Sequence, residues 1–167
     1  MFIEMKVAGI TLDPMTKMPI VILKDSSGEN ALPIWIGIAE ASAIATQLEK
    51  IDLARPMTHD LLRNVLNELD VNLEKVEVTD LKDNTYFAIL HLKVGDETLP
   101  VDSRPSDAIA LALRTESPIF VHEEVLNKSR HIDASKAQEG MVTPEDRDKW
   151  TEILENLSPE AFGKYKM

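Results

Sequence analysis

Two short segments of the chain gather polar groups at the entrances of what read as helices. The first is Arg55-Pro56-Met57-Thr58-His59-Asp60 and the second is Asp102-Ser103-Arg104-Pro105-Ser106-Asp107. Together they supply one histidine, two arginines, three aspartates and three hydroxyls. Phosphodiester hydrolysis needs such an inventory. Water must lose a proton, which neutral His59 or a carboxylate could accept. Charge spreading over the phosphate oxygens must be stabilised, and Arg55 and Arg104 offer planar, permanently charged forks. Carboxylates holding a divalent metal can share these tasks, with Glu40, Asp60, Asp102 and Asp107 as candidate oxygen ligands.

The same residues also have plainer uses. Thr58, Ser103 and Ser106 suit helix N-caps. Asp60 and Asp107 fall in first helical turns, where the helix dipole favours acids without any metal. Arg55 and Arg104 could pair with those acids, and a lone first-turn histidine can simply sit at the surface. His91 lies mid-strand, where a hydrogen-bonded role is expected, and His122-Glu123-Glu124 reads as ordinary helix-start chemistry. Trp35 alternates with apolar neighbours and reads as core or interface. The chain has no GxGxxG, no P-loop, no GxSxG elbow and no HExxH.

The elements that must position these groups alternate between strands and helices. Apolar, β-branched runs at residues 2–12, 19–24 and 31–36 read as strands, separated by the turn residues Asp13-Pro14 and Ser27-Gly28. From residue 38 to 48 the alanine-rich pattern predicts a helix. A second helix is expected from Thr58 to about Leu69, packing the stripe Leu61, Leu62, Val65, Leu66 and Leu69. Strands return between residues 73 and 102, with turns at Asp83-Asn84 and Gly95-Asp96. Pro105 suits the first turn of a third helix over 106–114, with Ser103 or Arg104 near its cap, and 118–121 is a short strand. Residues 127–140 read as a polar loop. The remaining tail reads as a docked helix opened by Thr143-Pro144-Glu145 and carrying the stripe Trp150, Ile153, Leu154 and Leu157.

A repeat runs through this order. Leu32-Pro33-Ile34 precedes Ala39-Glu40-Ala41 at the same distance as Leu99-Pro100-Val101 precedes Ser106-Asp107-Ala108. Upstream, Ile20-Val21-Ile22-Leu23-Lys24 matches Ile89-Leu90-His91-Leu92-Lys93 after a two-residue gap. The reading is an α+β fold built from a duplicated strand–strand–strand–helix unit, over about 3–50 and 72–116, joined by the helix from Thr58. A pseudo-twofold axis would then give Glu40 and Asp107 equivalent places at helix N-termini.

Composition narrows the classes. The 167 residues suit one ordinary domain, and 44% hydrophobic with 28% charged residues is globular composition. With no cysteine, disulfides, thiolate zinc sites, iron–sulfur clusters and cysteine nucleophiles are excluded. A net charge of -11 argues against a non-specific polyanion binder, but not against a local basic patch. No stretch approaches the roughly 20 apolar residues that span a bilayer, and a cytoplasmic protein without membrane contact is expected.

The residues Leu32-Pro33-Ile34-Trp35-Ile36-Gly37, Glu40-Ala41, Arg55-Pro56-Met57-Thr58-His59-Asp60-Leu61-Leu62 and Asp102-Ser103-Arg104-Pro105-Ser106-Asp107-Ala108-Ile109-Ala110-Leu111-Ala112 occur in that order. This succession resembles the bifunctional nuclease (BFN, DUF151) domain family. The resemblance covers about residues 1–130, with 131–167 as a polar loop and helical tail docked on that domain. It implies a compact α+β fold and a nuclease activity on DNA and RNA. Some relatives carry a further C-terminal motif of the UvrB/UvrC type, which the tail of this chain does not clearly match. Two readings follow. In the first, the protein is a phosphodiesterase: His59, Arg55, Arg104, Asp60 and Asp107 are catalytic, and Glu40, Asp102 and Asp107 hold Mg²⁺ or Mn²⁺. In the second, it is a non-catalytic scaffold that binds a ligand or protein. A homo-oligomer is expected in either.

Overall fold

The computed structural model describes residues 1–133. Its first three strands are β1 (Phe2–Leu12), β2 (Pro19–Asp25) and β3 (Ala31–Trp35), followed by helices α1 (Ile38–Leu48) and α2 (Thr58–Glu68). Three more strands follow, β4 (Val71–Lys82), β5 (Thr85–Val94) and β6 (Glu97–Ser103), then α3 (Pro105–Thr115), β7 (Ile119–His122) and α4 (Glu123–Asp133). The strands form one mixed sheet in the order β3-β2-β1-β7-β4-β5-β6. All pairs are antiparallel except β4 with β7.

The expected α+β class and repeated unit are both present. Each half is a three-stranded antiparallel meander followed by a helix, and β7 joins the two meanders at the centre of the sheet. The register repeats as well: Leu23 pairs with Leu32 and Val21 with Ile34 in one half, Leu92 with Leu99 and Leu90 with Val101 in the other. These are the positions that the sequence repeat equates. The β4–β5 hairpin turns tightly through Asp83 and Asn84, both at positive φ (49° and 59°), a conformation these short polar residues tolerate.

Alternation along the strands sends one set of apolar residues to a common face. Val21, Leu23, Leu32, Ile34, Val76, Val78, Ala88 and Val121 are buried there in a single cluster with Ala41, Ile44, Ile109 and Leu111 from the helices. Each fully buried aliphatic side chain contributes about 1.5–3 kcal/mol, so this cluster dominates the fold's stability. Helix α3 is the hub: it touches α1, α2, β4 and β5, and most of its residues are buried. Helix α4 packs Val125 and Leu126 into the core and touches β3, β4 and β7. The sheet curls enough for the Tyr86 hydroxyl on β5 to donate to the Pro33 carbonyl on β3 at 3.2 Å, and burial raises that phenol to about 12.

Three expectations are corrected. The α2 stripe is not packed: none of its residues is buried, and Leu61, Leu62, Val65 and Leu69 are exposed. Only Leu66 packs, in part, against the core. Residues 127–133 belong to α4 rather than to a loop; the run Asn127-Lys128-Ser129-Arg130-His131 is polar and so reads as loop, although it continues the helix that opens with Glu123-Glu124-Val125-Leu126. None of α1, α2 and α3 carries a side-chain cap from the expected hydroxyls. Each of these helices begins one residue past an extended N-cap, Gly37, Met57 or Arg104, so Thr58 and Ser106 already lie inside the first turn. The expected tail helix falls outside the described residues.

Candidate active site

The segments from Arg55 and Asp102 do meet. His59, in the first turn of α2, places Nε2 2.9 Å from Asp107 Oδ1 in the first turn of α3. The N-cap of α3, Arg104, donates from Nε to the other Asp107 oxygen at 2.8 Å and from a terminal nitrogen to Glu40 Oε1 on α1 at 2.9 Å. One guanidinium therefore joins the first turns of two helices, and a histidine from a third closes the group. These side chains line an open cleft of about 280 Å³ with Ser42, Thr46, Leu53, Met57 and Arg114.

Local sequence explains each placement. Glu40 and Asp107 are both third residues of their helices, so both carboxylates lie by unsatisfied backbone N–H groups and the positive end of the dipole. Pro105 fixes the first turn of α3 and leaves Arg104 extended as the cap, with its side chain free to reach across to α1. In α1 the cap position is glycine. A Cβ on Gly37 would collide with the Glu40 carboxylate, which folds back over it.

Charge state follows from these partners. Burial works to raise Asp107, but Arg104 and then His59 outweigh it and hold the carboxyl below its ordinary value. Asp107 in turn, with Glu40, pushes the Arg104 guanidinium further toward its charged form. Arg104 remains 65% exposed despite its two ion pairs. The group is a surface cation held in place by two acids, with donor capacity left toward solvent.

Asp60 has a different setting from the one expected. It accepts from the Met57 backbone N–H at 3.0 Å and from Arg114 Nε at 2.7 Å. Arg114 is only 2% exposed and also donates to the Ala110 carbonyl. Burial raises the Asp60 carboxyl, but the Met57 and Arg114 bonds more than reverse it. Asp60 thus pins the start of α2 to α3 and sets the position of His59. Sequence reading missed Arg114, although it lies on the same helix as Asp107 two turns on, a spacing that returns to the same face.

Two expected site residues are not brought in. Arg55 is exposed, outside the cleft lining, and has no hydrogen-bond or ion-pair partner among the described residues. Asp102 pairs in register with Ile89 on β6, while its neighbour Ser103 pairs with the buried Ala88. The pleat therefore turns Asp102 to the face away from the core and the cleft. Of the expected metal set of Glu40, Asp102 and Asp107, Asp102 therefore does not gather with the other two. Among the described residues no three His, Asp or Glu side chains gather to hold a metal ion. Glu40 and Asp107 have the oxygen chemistry for Mg²⁺ or Mn²⁺, but Arg104 lies between them. The arrangement does not fit an ion held by this pair. Elsewhere, His91 and Lys75 both bond Glu77 on the sheet, the structural role expected for His91.

Comparison with known proteins identifies the family of this chain. The model of the bifunctional nuclease domain matches residues 21–133, which contain every member of the cleft group. A Mycobacterium tuberculosis (strain H37Rv) protein described as uncharacterized is 35% identical over 162 residues, covering 95% of this chain and 97% of that one. Bifunctional nuclease 1 of Arabidopsis thaliana is 28% identical over 159 residues, covering 87% of this chain and 49% of its own length. Bifunctional nuclease 2 of Oryza sativa subsp. japonica is 28% identical over 121 residues, covering 70% of this chain and 37% of its own. The chain thus spans under half of either plant relative. No helix among the described residues is long and apolar enough to cross a membrane. That family model spans more than half of the chain, including the segment that builds the cleft, and the chain belongs to the bifunctional nuclease domain family.

Proposed function

We propose that this protein hydrolyses phosphodiester bonds of DNA and RNA at the cleft formed by α1, α2 and α3. The observation that carries the reading is the His59–Asp107–Arg104–Glu40 chain of contacts at the wall of an open cleft. Nuclease is also the word in the names of the plant relatives.

The roles follow from the contacts. Asp107 accepts from the His59 Nε2–H and stays ionised, which leaves Nδ1 with a lone pair for a proton. His59 is the base toward water, or the acid toward the departing oxygen. Arg104 supplies fixed positive charge to the phosphate oxygens, already oriented by its two acids, so little reorganisation is needed as charge builds. Asp60 and Arg114 act as positioning residues. In this reading Arg104 carries charge stabilisation, and no step passes through a divalent ion.

The test is cleavage of labelled single-stranded DNA and RNA by purified protein, with Mg²⁺, with Mn²⁺ and with chelator. His59→Ala should lower the rate by about 10²–10⁴, and Arg104→Ala by about 10²–10³. Cleavage by both variants at the wild-type rate would sink the proposal and leave the scaffold reading. Cleavage that vanishes with chelator and returns with Mn²⁺ would put an ion, rather than Arg104, in the role of charge stabiliser.

A further inference from the structure

A second cavity, of about 270 Å³, shares Arg114 with the cleft and no other lining residue. It lies where the later turns of α2, the first residues of β4 and the end of α3 come together. Its polar lining is Arg63, Asn67, Asn72, Arg114 and Thr115, and the Thr115 hydroxyl is already taken up by the Leu111 carbonyl and Ser117. No carboxylate lines this cavity, in a chain with 29 acids against 18 lysines and arginines. The acids next to the lining segments in sequence, Glu68, Asp70 and Glu116, are exposed and outside it.

The charges of the lining do not balance. Arg63 is half-buried and donates from Nε and a terminal nitrogen to the side-chain carbonyl of Asn64, at 3.3 and 3.0 Å, a neutral acceptor. Arg114, 2% exposed, gives Nε to Asp60 and one terminal nitrogen to the Ala110 carbonyl. Against the burial that raises it, the Asp60 carboxyl is held down by the Met57 and Arg114 bonds and by the charges of Arg114 and Arg63. One carboxylate thus answers two guanidinium groups, and the cavity keeps an excess positive charge. Planar guanidinium forks match phosphate oxygens, and the amides of Asn67 and Asn72 add donors without charge. The geometry points to a binding site for a phosphate group in this cavity, held by Arg63 and Arg114 with Asn67 and Asn72 as further donors. The volume falls just below the range of about 300–1,000 Å³ usual for drug-sized ligands, which suits a free phosphate or a small phosphate ester. The site does not depend on the nuclease reading. Because Arg114 also holds Asp60, an occupied site tightens the contact that sets the start of α2.

The test is titration of the full chain, without nucleic acid, by inorganic phosphate and by adenosine 5′-monophosphate, at constant ionic strength set with chloride and followed by ¹⁵N NMR. The side-chain amide signals of Asn67 and Asn72 should shift and saturate, and the melting temperature should rise with either ligand. Binding by either supports the site, and the tighter of the two identifies the source of the phosphate. Arg63→Gln should weaken binding at these signals by about ten- to a hundredfold. Asn72→Asp, nearly isosteric and on an exposed position, brings a like charge to the anion and should weaken it in the same sense with unchanged circular dichroism. Arg104→Ala, which alters only the cleft, should leave the Asn67 and Asn72 shifts as they are. Shifts confined to His59 and the other cleft residues, signals at Asn67 and Asn72 that follow chloride as well as phosphate, or wild-type affinity in both Arg63→Gln and Asn72→Asp each overturn the inference.

Discussion

The two halves of this sheet share a register and differ in what covers them. In the first half Leu32 on β3 is 0% exposed, while its counterpart Leu99 on β6 is 45% exposed. The helices that follow each half differ in the same sense. Helix α4 opens with acids and then Val125-Leu126, which are buried; α2 opens with His59-Asp60 and then Leu61-Leu62, which are exposed. One is held by apolar burial, and the other mainly by the Asp60–Arg114 and His59–Asp107 contacts. A third difference sits at the helix caps, where Arg104 of the second half corresponds to Gly37 of the first. The lesson is that duplication supplied a scaffold, and departures from symmetry supplied the site. A single arginine can serve two acids only because its twin position is empty.

Changes that break this contrast should differ in size. The largest is expected for Arg114→Ala, which removes one partner of a largely buried ion pair and frees α2 from α3. A loss of about 4 kcal/mol in urea unfolding is expected, since breaking such pairs costs about 3–5 kcal/mol. A loss no greater than that of a surface arginine would show that α2 is held some other way. Next comes the paired test of the halves. Leu32→Ala should cost about 3 kcal/mol, and Leu99→Ala less than about 1 kcal/mol. Equal losses would mean that β6 is covered in solution. The smallest effect is in pH. Asp60 and Asp107 are both depressed in the folded protein. The stability they contribute is present above the ordinary carboxylate value near 3.9 and is lost as pH falls through their lower folded values. Urea midpoints should therefore drop below about pH 4, and Asp60→Asn should flatten that drop. An unchanged slope in the variant would assign the acid sensitivity to other carboxylates.

Much of the fold was legible because local signals and repeat agreed. Alternating β-branched runs placed all seven strands, and the matching Leu-Pro-hydrophobic and acid-Ala segments disclosed the two meanders. The meeting of His59 with Asp107 was legible as two motifs of complementary chemistry, though no local pattern fixes a contact between helices so distant in sequence. The sign of burial on α2 was not legible. Its period is that of a packed helix, and periodicity reports which residues share a face without saying whether anything lies over it. Asp102 misled for a related reason. It adjoins Arg104 in sequence, but it sits on a strand, where each step of one residue changes the face.

The cleft draws on contacts between parts of the chain 48 residues apart for His59 and Asp107, 54 for Asp60 and Arg114, and 64 for Glu40 and Arg104. Loops of that length close late, after the local hairpins have formed. The cleft group is therefore expected to assemble among the last events of folding, and neither meander expressed by itself would contain it. On the proposed nuclease reading, recovery of cleavage after dilution from denaturant should lag behind recovery of sheet structure, which would make it a reporter of how the two halves dock.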